Sequence, residues 1–348
     1  MGAVQAREAA RKVADLIEQL WRGGSRSELS ADRMDDRYLW VEDTAYISTE
    51  DEGEAGSWIC LATGGTPVDD GLRQELLRLE TLRPIIRDLY RRLRYSDEVS
   101  YIDKRSLWAT QINVPLADMN FLGGGPVAGI DIPVACRSGV THFDYYGLVD
   151  ADQNPSRAPG WMPGPFIDVI GQFIMSVHAP ADRRTDDASM AGFGAAHYNL
   201  EWMNANTVER SSNQVLILSE NGTFVGASPA AAEVLGLATA IPKSWASSEE
   251  AQNFIRVTRN LEQEKAADVM SLARGIRAGG RFDHSLSGSR FTVTTCEAPE
   301  LNFYVAALSR TRTLITRRNT HDGKEDRDTI RKQIRHEGQR VERKGKQI

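Results

Sequence analysis

The chain has 348 residues, 41% of them hydrophobic and 26% charged, which is the composition of a globular protein with room for two domains. No run approaches about 18 apolar residues and the N-terminal segment has no secretory apolar stretch, so the sequence predicts no membrane span. The net charge of −6 divides into a basic tail from Arg310 (13 Lys/Arg, 6 Asp/Glu) and an acidic body (29 against 42), which argues against nucleic acid as a partner of the main body.

The N-terminal segment is predicted to be a helix over residues 4–21, ended by Gly23-Gly24. Its apolar side chains share one face at helical spacing, and they include Val13, Leu16, Ile17 and Leu20. Two interpretations are open, because such a face packs either on its own domain or on a second copy. We expect the second, a homodimer built on residues 4–21.

The next segments mix helices and strands. Residues 28–50 are predicted to be helical, although their apolar period is poor. Residues 70–94 carry a sustained leucine stripe, and Pro84 is expected to kink or break that helix. Two apolar runs, 99–102 and 107–114, flank a polar turn and predict a hairpin.

The second half of the chain follows a polar connector at 201–212. Asn221-Gly222 between two apolar runs is a strong signal for a β-hairpin. A capping-box pattern at Ser247 and Glu250 predicts a helix that continues to about Arg277. Two further strands are predicted at 291–296 and 301–308. Helices beside antiparallel hairpins indicate an α+β architecture.

The most informative stretch is 160–200. It holds Trp161 in a turn, the step Phe166-Ile167-Asp168, a strand ending at Ala179-Pro180, and a small-residue strand over 192–200. In this order and spacing the stretch resembles the centre of the membrane-distal module of double Cache sensor domains. The segments 101–108 and 142–146 resemble the strands and the ligand loop that precede it.

The resemblance implies an α+β fold of two tandem PAS-like Cache modules with antiparallel sheets, preceded by a long N-terminal helix. It divides the chain into an N-terminal helical segment (1–50), a first, ligand-binding module (51–205), a second module (206–312) and a basic polar tail (313–348). The tail has few core-forming side chains and is expected to be disordered or a solvated helix.

The resemblance also implies a small-ligand pocket in the first module, with aromatic walls and a few polar groups. The ligand-binding residues that it indicates are Trp108, Asp144, Tyr145, Tyr146, Trp161, Phe166, Asp168 and His197. The alternative is that the aromatic residues are core and that the Asp residues cap turns.

Two departures from the amino-acid-binding subgroup bear on the ligand. Phe143 stands where that subgroup has a carboxylate-binding Arg, and His197 stands where it has an amine-binding Asp. The reason to expect an α-amino acid is therefore lost, and an acidic or a neutral ligand fits the sequence as well as a cation does. If His197 lines the pocket, we expect the ligand to present an acceptor or a negative group to it.

Metal and catalytic chemistry have weaker patterns. His142, Asp144, His178 and His197 could approach one another, but their spacing is not that of a metal site, so we predict no metal and no cofactor. The chain lacks the Gly-x-Ser-x-Gly, His-Glu-x-x-His and dinucleotide-binding motifs, so we predict that it is not an enzyme.

The sequence thus predicts a small-molecule sensor that binds a small polar metabolite in its first module and signals through a separate partner. The alternatives are a scaffolding or interaction protein with a vestigial pocket, and an enzyme or metal-binding protein on a Cache scaffold. Three widely spaced cysteines and the absence of a spanning helix favour a cytoplasmic protein, the alternative being an excised extracytoplasmic sensor domain.

Overall fold

The computed structural model describes residues 2–22, 38–41, 45–48, 57–62, 70–103, 107–112, 154–168, 172–182, 190–242, 248–263 and 266–311. Residues 1–311 form one compact unit. The second unit, residues 312–348, contains the predicted basic tail and lies outside the described residues. None of the described helices combines the length and apolar character needed to cross a membrane. The predicted domain boundaries at 50 and 205 stay predictions.

The described helices are α1 (Gly2–Arg22), α2 (Asp70–Glu80), α3 (Arg83–Arg92), α4 (Leu200–Met203), α5 (Pro229–Leu235), α6 (Ser248–Phe254) and α7 (Ala267–Ala278). The described strands are β1 (Tyr38–Val41), β2 (Ala45–Ser48), β3 (Ser57–Ala62), β4 (Glu98–Asp103), β5 (Leu107–Ile112), β6 (Gly160–Trp161), β7 (Phe166–Ile167), β8 (Phe173–Asp182), β9 (Met190–Asn199), β10 (Gln214–Ser219), β11 (Phe224–Ala227), β12 (Arg281–Leu286), β13 (Ser289–Ala298) and β14 (Phe303–Arg310).

Helix α1 lies on the protein's own first sheet, across β8 and β9. Its buried face consists of residues at most 2% exposed that recur every three or four positions: Ala6, Ala9, Ala10, Val13, Ala14 and Ile17. Leu16 and Leu20 pack against the same core. The four side chains predicted to form a dimer face therefore pack within the protomer. The prediction that this face binds a second copy is corrected: it packs on the protein's own first sheet.

The predicted helix over 28–50 is wrong where the structure describes it. Strands β1 and β2 pair in antiparallel register, from Tyr38 opposite Ser48 to Val41 opposite Ala45. The aromatic and β-branched residues of these two segments favour strands, which explains their poor helical period.

The break predicted at Pro84 is confirmed. Helix α2 ends at Glu80, and α3 begins at Arg83 with Pro84 in its first turn. Proline is tolerated there because the first amides of a helix have no partner within it.

The first sheet has seven described strands in the order β3-β5-β4-β9-β8-β6, with β7 beside β8. The predicted hairpin of β4 and β5 is confirmed, as are the two strands β8 and β9 of the central stretch. Strand β8 continues through the Ala179-Pro180 step, where Pro180 lies opposite Phe193.

The two faces of this sheet differ in chemistry. On β8, the alternate residues Phe173, Met175 and Val177 belong to the apolar core that includes α1. The intervening positions include Ser176 and His178, which project from the other face. The first sheet therefore has an apolar face covered by α1 and an opposite face with buried polar side chains, which we call the polar face.

The second sheet has five described strands in the order β11-β10-β14-β13-β12. The Asn221-Gly222 hairpin is confirmed, and Gly222 has the positive φ of +80° that such a turn needs. The single helix predicted from Ser247 to Arg277 is wrong, because α6 and α7 are separate helices. The polar connector at 201–212 is largely helical, since α4 continues as a π-helical turn to Val208.

A buried arginine stands where the two sheets meet. The Arg259 guanidinium lies over the ring of Phe173 of β8 at 4.7 Å and that of Phe224 of β11 at 4.2 Å. It donates to the carbonyls of Phe224, Val225 and Thr239. Burial lowers the pKa of Arg259 to about 10, so it stays protonated at neutral pH. Arg259 thus links the two sheets through its contacts with both rings and with three backbone carbonyls.

Candidate functional site

An acidic cluster with one histidine lies at the end of the polar face, and neighbouring strands of the antiparallel sheet position it. Val99 of β4 pairs with Ala196 of β9. Glu98 precedes the first residue of that pair and His197 follows the second, so these two side chains meet across the strands. Asp97 comes directly before Glu98.

The third carboxylate arrives from β7. Phe166 of β7 lies opposite Ile174 of β8, which alternates with the core-facing Phe173, so Phe166 and Asp168 project toward the polar face. Asp168 is fixed by two reciprocal bonds: its amide donates to the Gln172 carbonyl at 2.9 Å, and its Oδ1 accepts from the Gln172 amide at 2.8 Å.

The imidazole of His197 stands at the centre of the cluster. Its Nδ1 lies 3.2 Å from Glu98 Oε2 and 4.0 Å from both Asp97 Oδ1 and Asp168 Oδ2. The contact with Glu98 has the length of an ion pair but not the direction of a hydrogen bond. The side chains are almost entirely buried, at 0% exposed for Asp97, 3% for Glu98, 5% for Asp168 and 11% for His197.

The electrostatics of the cluster penalise ionisation of its most buried member. Burial, partly offset by His197, raises the pKa of Asp97 from its ordinary value of 3.8 to about 6. Glu98 raises it further through like-charge repulsion. Ionisation of Asp97 at neutral pH therefore lowers the stability of the folded protein unless a positive charge joins it.

Asn199 connects the cluster to a neighbouring cleft. Its Nδ2 donates to Asp97 Oδ2 at 3.2 Å and to Gln172 Oε1, while its Oδ1 caps α4 by accepting from the Trp202 amide. Asn199, Gln172 and Arg259 all line a cleft of about 610 Å³. A molecule in that cleft would contact the same asparagine that holds Asp97.

The rest of the polar face is also buried. Ser100 and Thr110 are at most 3% exposed, and Thr110 Oγ1 donates to Glu98 Oε1 at 3.0 Å. Ser176 Oγ and His178 Nε2 lie 2.7 Å apart, and the His178 ring contacts Phe193. So many buried polar groups on one sheet face are typical of a binding pocket rather than of a core.

The structure brings Asp168 and His197 together, as the resemblance implied, and places Phe166 on the same face. Trp161 is 6% exposed and lies opposite Val177 in the apolar core, away from the cluster. Trp108 is part of β5, opposite Ile102. The remaining predicted ligand contacts, Asp144, Tyr145 and Tyr146, lie outside the described residues.

Sequence reasoning missed Asp97 and Glu98. The sequence shows only two adjacent carboxylates directly before a predicted apolar strand, and it is the pairing of β4 with β9 that shows them to be buried beside His197. The expectation that the ligand presents an acceptor or a negative group to His197 stays a prediction, although the three carboxylates that surround that ring would repel a negative group.

No family model and no curated protein matches the chain. Among solved structures, it is similar to the sensory domain of the Campylobacter jejuni chemoreceptor Tlp3, at 7% identity over 89% of this chain and 92% of that one, with a TM-score of 0.41. It is similar to the extracellular domain of mmHK1S-Z3, described as a histidine kinase, at 11% identity over 67% and 79% of the chains and a TM-score of 0.40. It is also similar to the ligand-binding domain of the Pseudomonas fluorescens chemoreceptor CtaA in complex with L-serine, at 12% identity over 67% of this chain and 79% of that one, with a TM-score of 0.36.

The cytoplasmic placement predicted from the sequence is wrong on these comparisons, because matched domains are described as extracellular. The fold class that the resemblance implied is confirmed: the described chain is α+β, with two antiparallel sheets that follow an N-terminal helix.

Proposed function

We propose that the protein is a sensor domain that binds a small polar ligand on the polar face of its first sheet, against Asp97, Glu98, Asp168 and His197. The observation that carries the proposal is the burial of three carboxylates around one imidazole. Burying like charges together costs several kcal/mol unless something compensates them, and a bound ligand is such a compensation.

The charge of the cluster selects the chemistry of the ligand. Three carboxylates and one imidazole keep a negative total whether or not the ring is protonated. The ligand group that meets them is therefore a cation or a rich hydrogen-bond donor. The adjoining cleft, lined by Asn199, Glu201 and Arg259, has the polar groups to orient the rest of a small molecule.

The position of the cluster on β9 connects ligand binding to helix α1. Strand β9 presents His197 to the polar face and approaches α1 through Gly194, three residues earlier, on the opposite face. A shift of β9 on ligand binding would be passed to α1 directly, because the two backbones touch there. We propose that a separate partner, or a second copy, reads this change from the exposed side of α1, where Val4 is 39% exposed.

A metabolite screen by thermal unfolding tests the proposal. With a chelator present to exclude metal ions, a small cationic or donor-rich metabolite at a hundred times its Kd should stabilise the protein by about 2.7 kcal/mol, or roughly 5–11 °C. Asp168→Asn and His197→Gln should remove this shift. His284→Gln is the matched control, because His284 lies in the second sheet, where its Nε2 pairs with the Asp268 carbonyl.

The binding proposal fails if a broad screen gives no shift, with or without metal ions. It also fails if ligands shift both cluster variants as fully as the wild type, since binding would then lie elsewhere. A folded protein without any ligand response would support the scaffolding alternative.

A further inference from the structure

We propose that the cation held by the cluster is a divalent transition-metal ion, bound by Asp97, Asp168 and His197 with Glu98 as an additional ligand. The proposal deepens the proposed function and rests on it, because it names the chemical class of the ligand. Nothing in the sequence pattern points to these three residues together, since Asp97 precedes β4, Asp168 follows β7 and His197 lies in β9.

The donor atoms have the separations that one ion requires. Asp97 Oδ1, Asp168 Oδ2 and His197 Nδ1 all lie within 4.8 Å of one another. Donors placed around a single ion at bond lengths of about 2.0–2.6 Å are separated by distances of this order. Glu98 Oε2, at 3.2 Å from His197 Nδ1, lies near enough to complete the set.

Each carboxylate uses one oxygen to fix its position and directs the other toward His197. Asp97 accepts from Asn199 with Oδ2 and faces the ring with Oδ1. Asp168 accepts from the Gln172 amide with Oδ1 and faces the ring with Oδ2. Glu98 accepts from Thr110 with Oε1 and faces the ring with Oε2. Outer hydrogen bonds that orient each ligand in this way are characteristic of metal sites.

A second observation separates the cluster from an ordinary group of acidic residues. Asp97 is 0% exposed, and its inward Oδ1 has no hydrogen-bond partner among the described residues. The inward Nδ1 of His197 likewise makes no hydrogen bond to a described residue, although it lies 3.2 Å from Glu98 Oε2. Buried polar atoms normally find partners, so two such atoms aimed at one point indicate a ligand between them.

The donor set indicates the kind of ion. One imidazole nitrogen with two or three carboxylate oxygens suits Zn²⁺, Co²⁺ or Mn²⁺, whereas Mg²⁺ and Ca²⁺ prefer oxygen ligands alone. At a fixed site the affinity should be lower for Mn²⁺ than for Co²⁺ or Zn²⁺. The ion would neutralise two of the three carboxylate charges that burial now penalises.

Calorimetric titration of the full, chelator-stripped chain with ZnCl₂ tests the site. We expect one high-affinity ion per chain, a lower affinity for MnCl₂, and at least a hundredfold weaker binding of MgCl₂. Asp97→Asn, Asp168→Asn and His197→Gln should each weaken Zn²⁺ binding at least tenfold. His284→Gln should bind as the wild type does. Circular dichroism of each variant confirms that it is folded, and the near-isosteric Asn substitutions keep the volume of the site.

The metal proposal is overturned if stripped wild-type protein binds no Zn²⁺ at micromolar concentration, or if all three cluster variants bind it unchanged. A metabolite that binds at the cluster in the presence of chelator, without any metal response, overturns the metal proposal and leaves the sensor function standing. If neither metal nor metabolite binds, both fail together.

Discussion

Replacing Gly194 with alanine is expected to destabilise the protein by about 2–3 kcal/mol, because α1 crosses β9 with no room for a side chain. A Cβ at this position would stand 2.3 Å from the Ala10 carbonyl oxygen and 2.9 Å from the Val13 Cβ. The first of these atoms belongs to the helix backbone, so α1 itself would have to move. Urea unfolding monitored by circular dichroism measures the loss, which corresponds to roughly 4–12 °C in Tm.

Gly275→Ala is the matched control for this change. A Cβ there would meet the far end of the Phe282 ring, 2.7 Å away, and that partly exposed side chain can turn aside. Alanine also has the higher helix propensity, so the control should be neutral or slightly stabilising. Unchanged stability in Gly194→Ala would contradict the close packing of α1 on β9 and reopen α1 as a dimer face.

Replacing Asp97 with asparagine is expected to stabilise the ligand-free protein at neutral pH. Burial raises the pKa of Asp97 to about 6, so the folded state holds a proton that the unfolded state has already released above about pH 4. The contribution of Asp97 to stability is thus present at low pH and lost as pH rises from about 4 to about 6. At pH 7.5 its ionisation costs roughly 3 kcal/mol, which the neutral amide avoids.

The measurement is the free energy of unfolding of both proteins from pH 4 to 7.5, with chelator present. Asp283→Asn is the control, because the hydrogen bond from Thr292 lowers the pKa of that exposed carboxyl. Its ionised form is therefore favoured in the folded protein, and replacing the carboxylate should leave the variant no more stable than the wild type. An Asp97→Asn variant that is less stable than the wild type at pH 7.5 would show that the cluster is structural.

Much of the fold was predictable because local patterns agreed with the tertiary structure. The Asn221-Gly222 turn, the break at Pro84 and the strands of the central stretch all depend on short-range chemistry. The strands within 38–48 were predicted wrongly as helix, because the weak helical period was followed although the aromatic and β-branched residues favour strands. The two helices of the second half were joined because the turn between them has neither glycine nor proline.

The surface against which the apolar face of α1 packs could not be assigned from sequence, because an apolar stripe fits its own domain and a second copy equally well. The alanines of that stripe were the informative residues, since small side chains let the helix backbone approach β9 at Gly194. The candidate site was predictable in part, through Asp168 and His197. Its other members, Asp97 and Glu98, lie at the start of β4, and only the pairing of β4 with β9 shows the place of that strand in the sheet.

Histidine-selective NMR of the full chain tests whether the cluster around His197 is the ligand site, because the sequence has only six histidines. The ring signals are assigned by His197→Gln and His284→Gln. On addition of ZnCl₂, or of a metabolite found in the chelator screen, we expect the His197 signals to shift to a saturable end point while those of His284 stay in place. His197 signals that do not move while the protein binds either probe would contradict the assignment of the cluster as the ligand site.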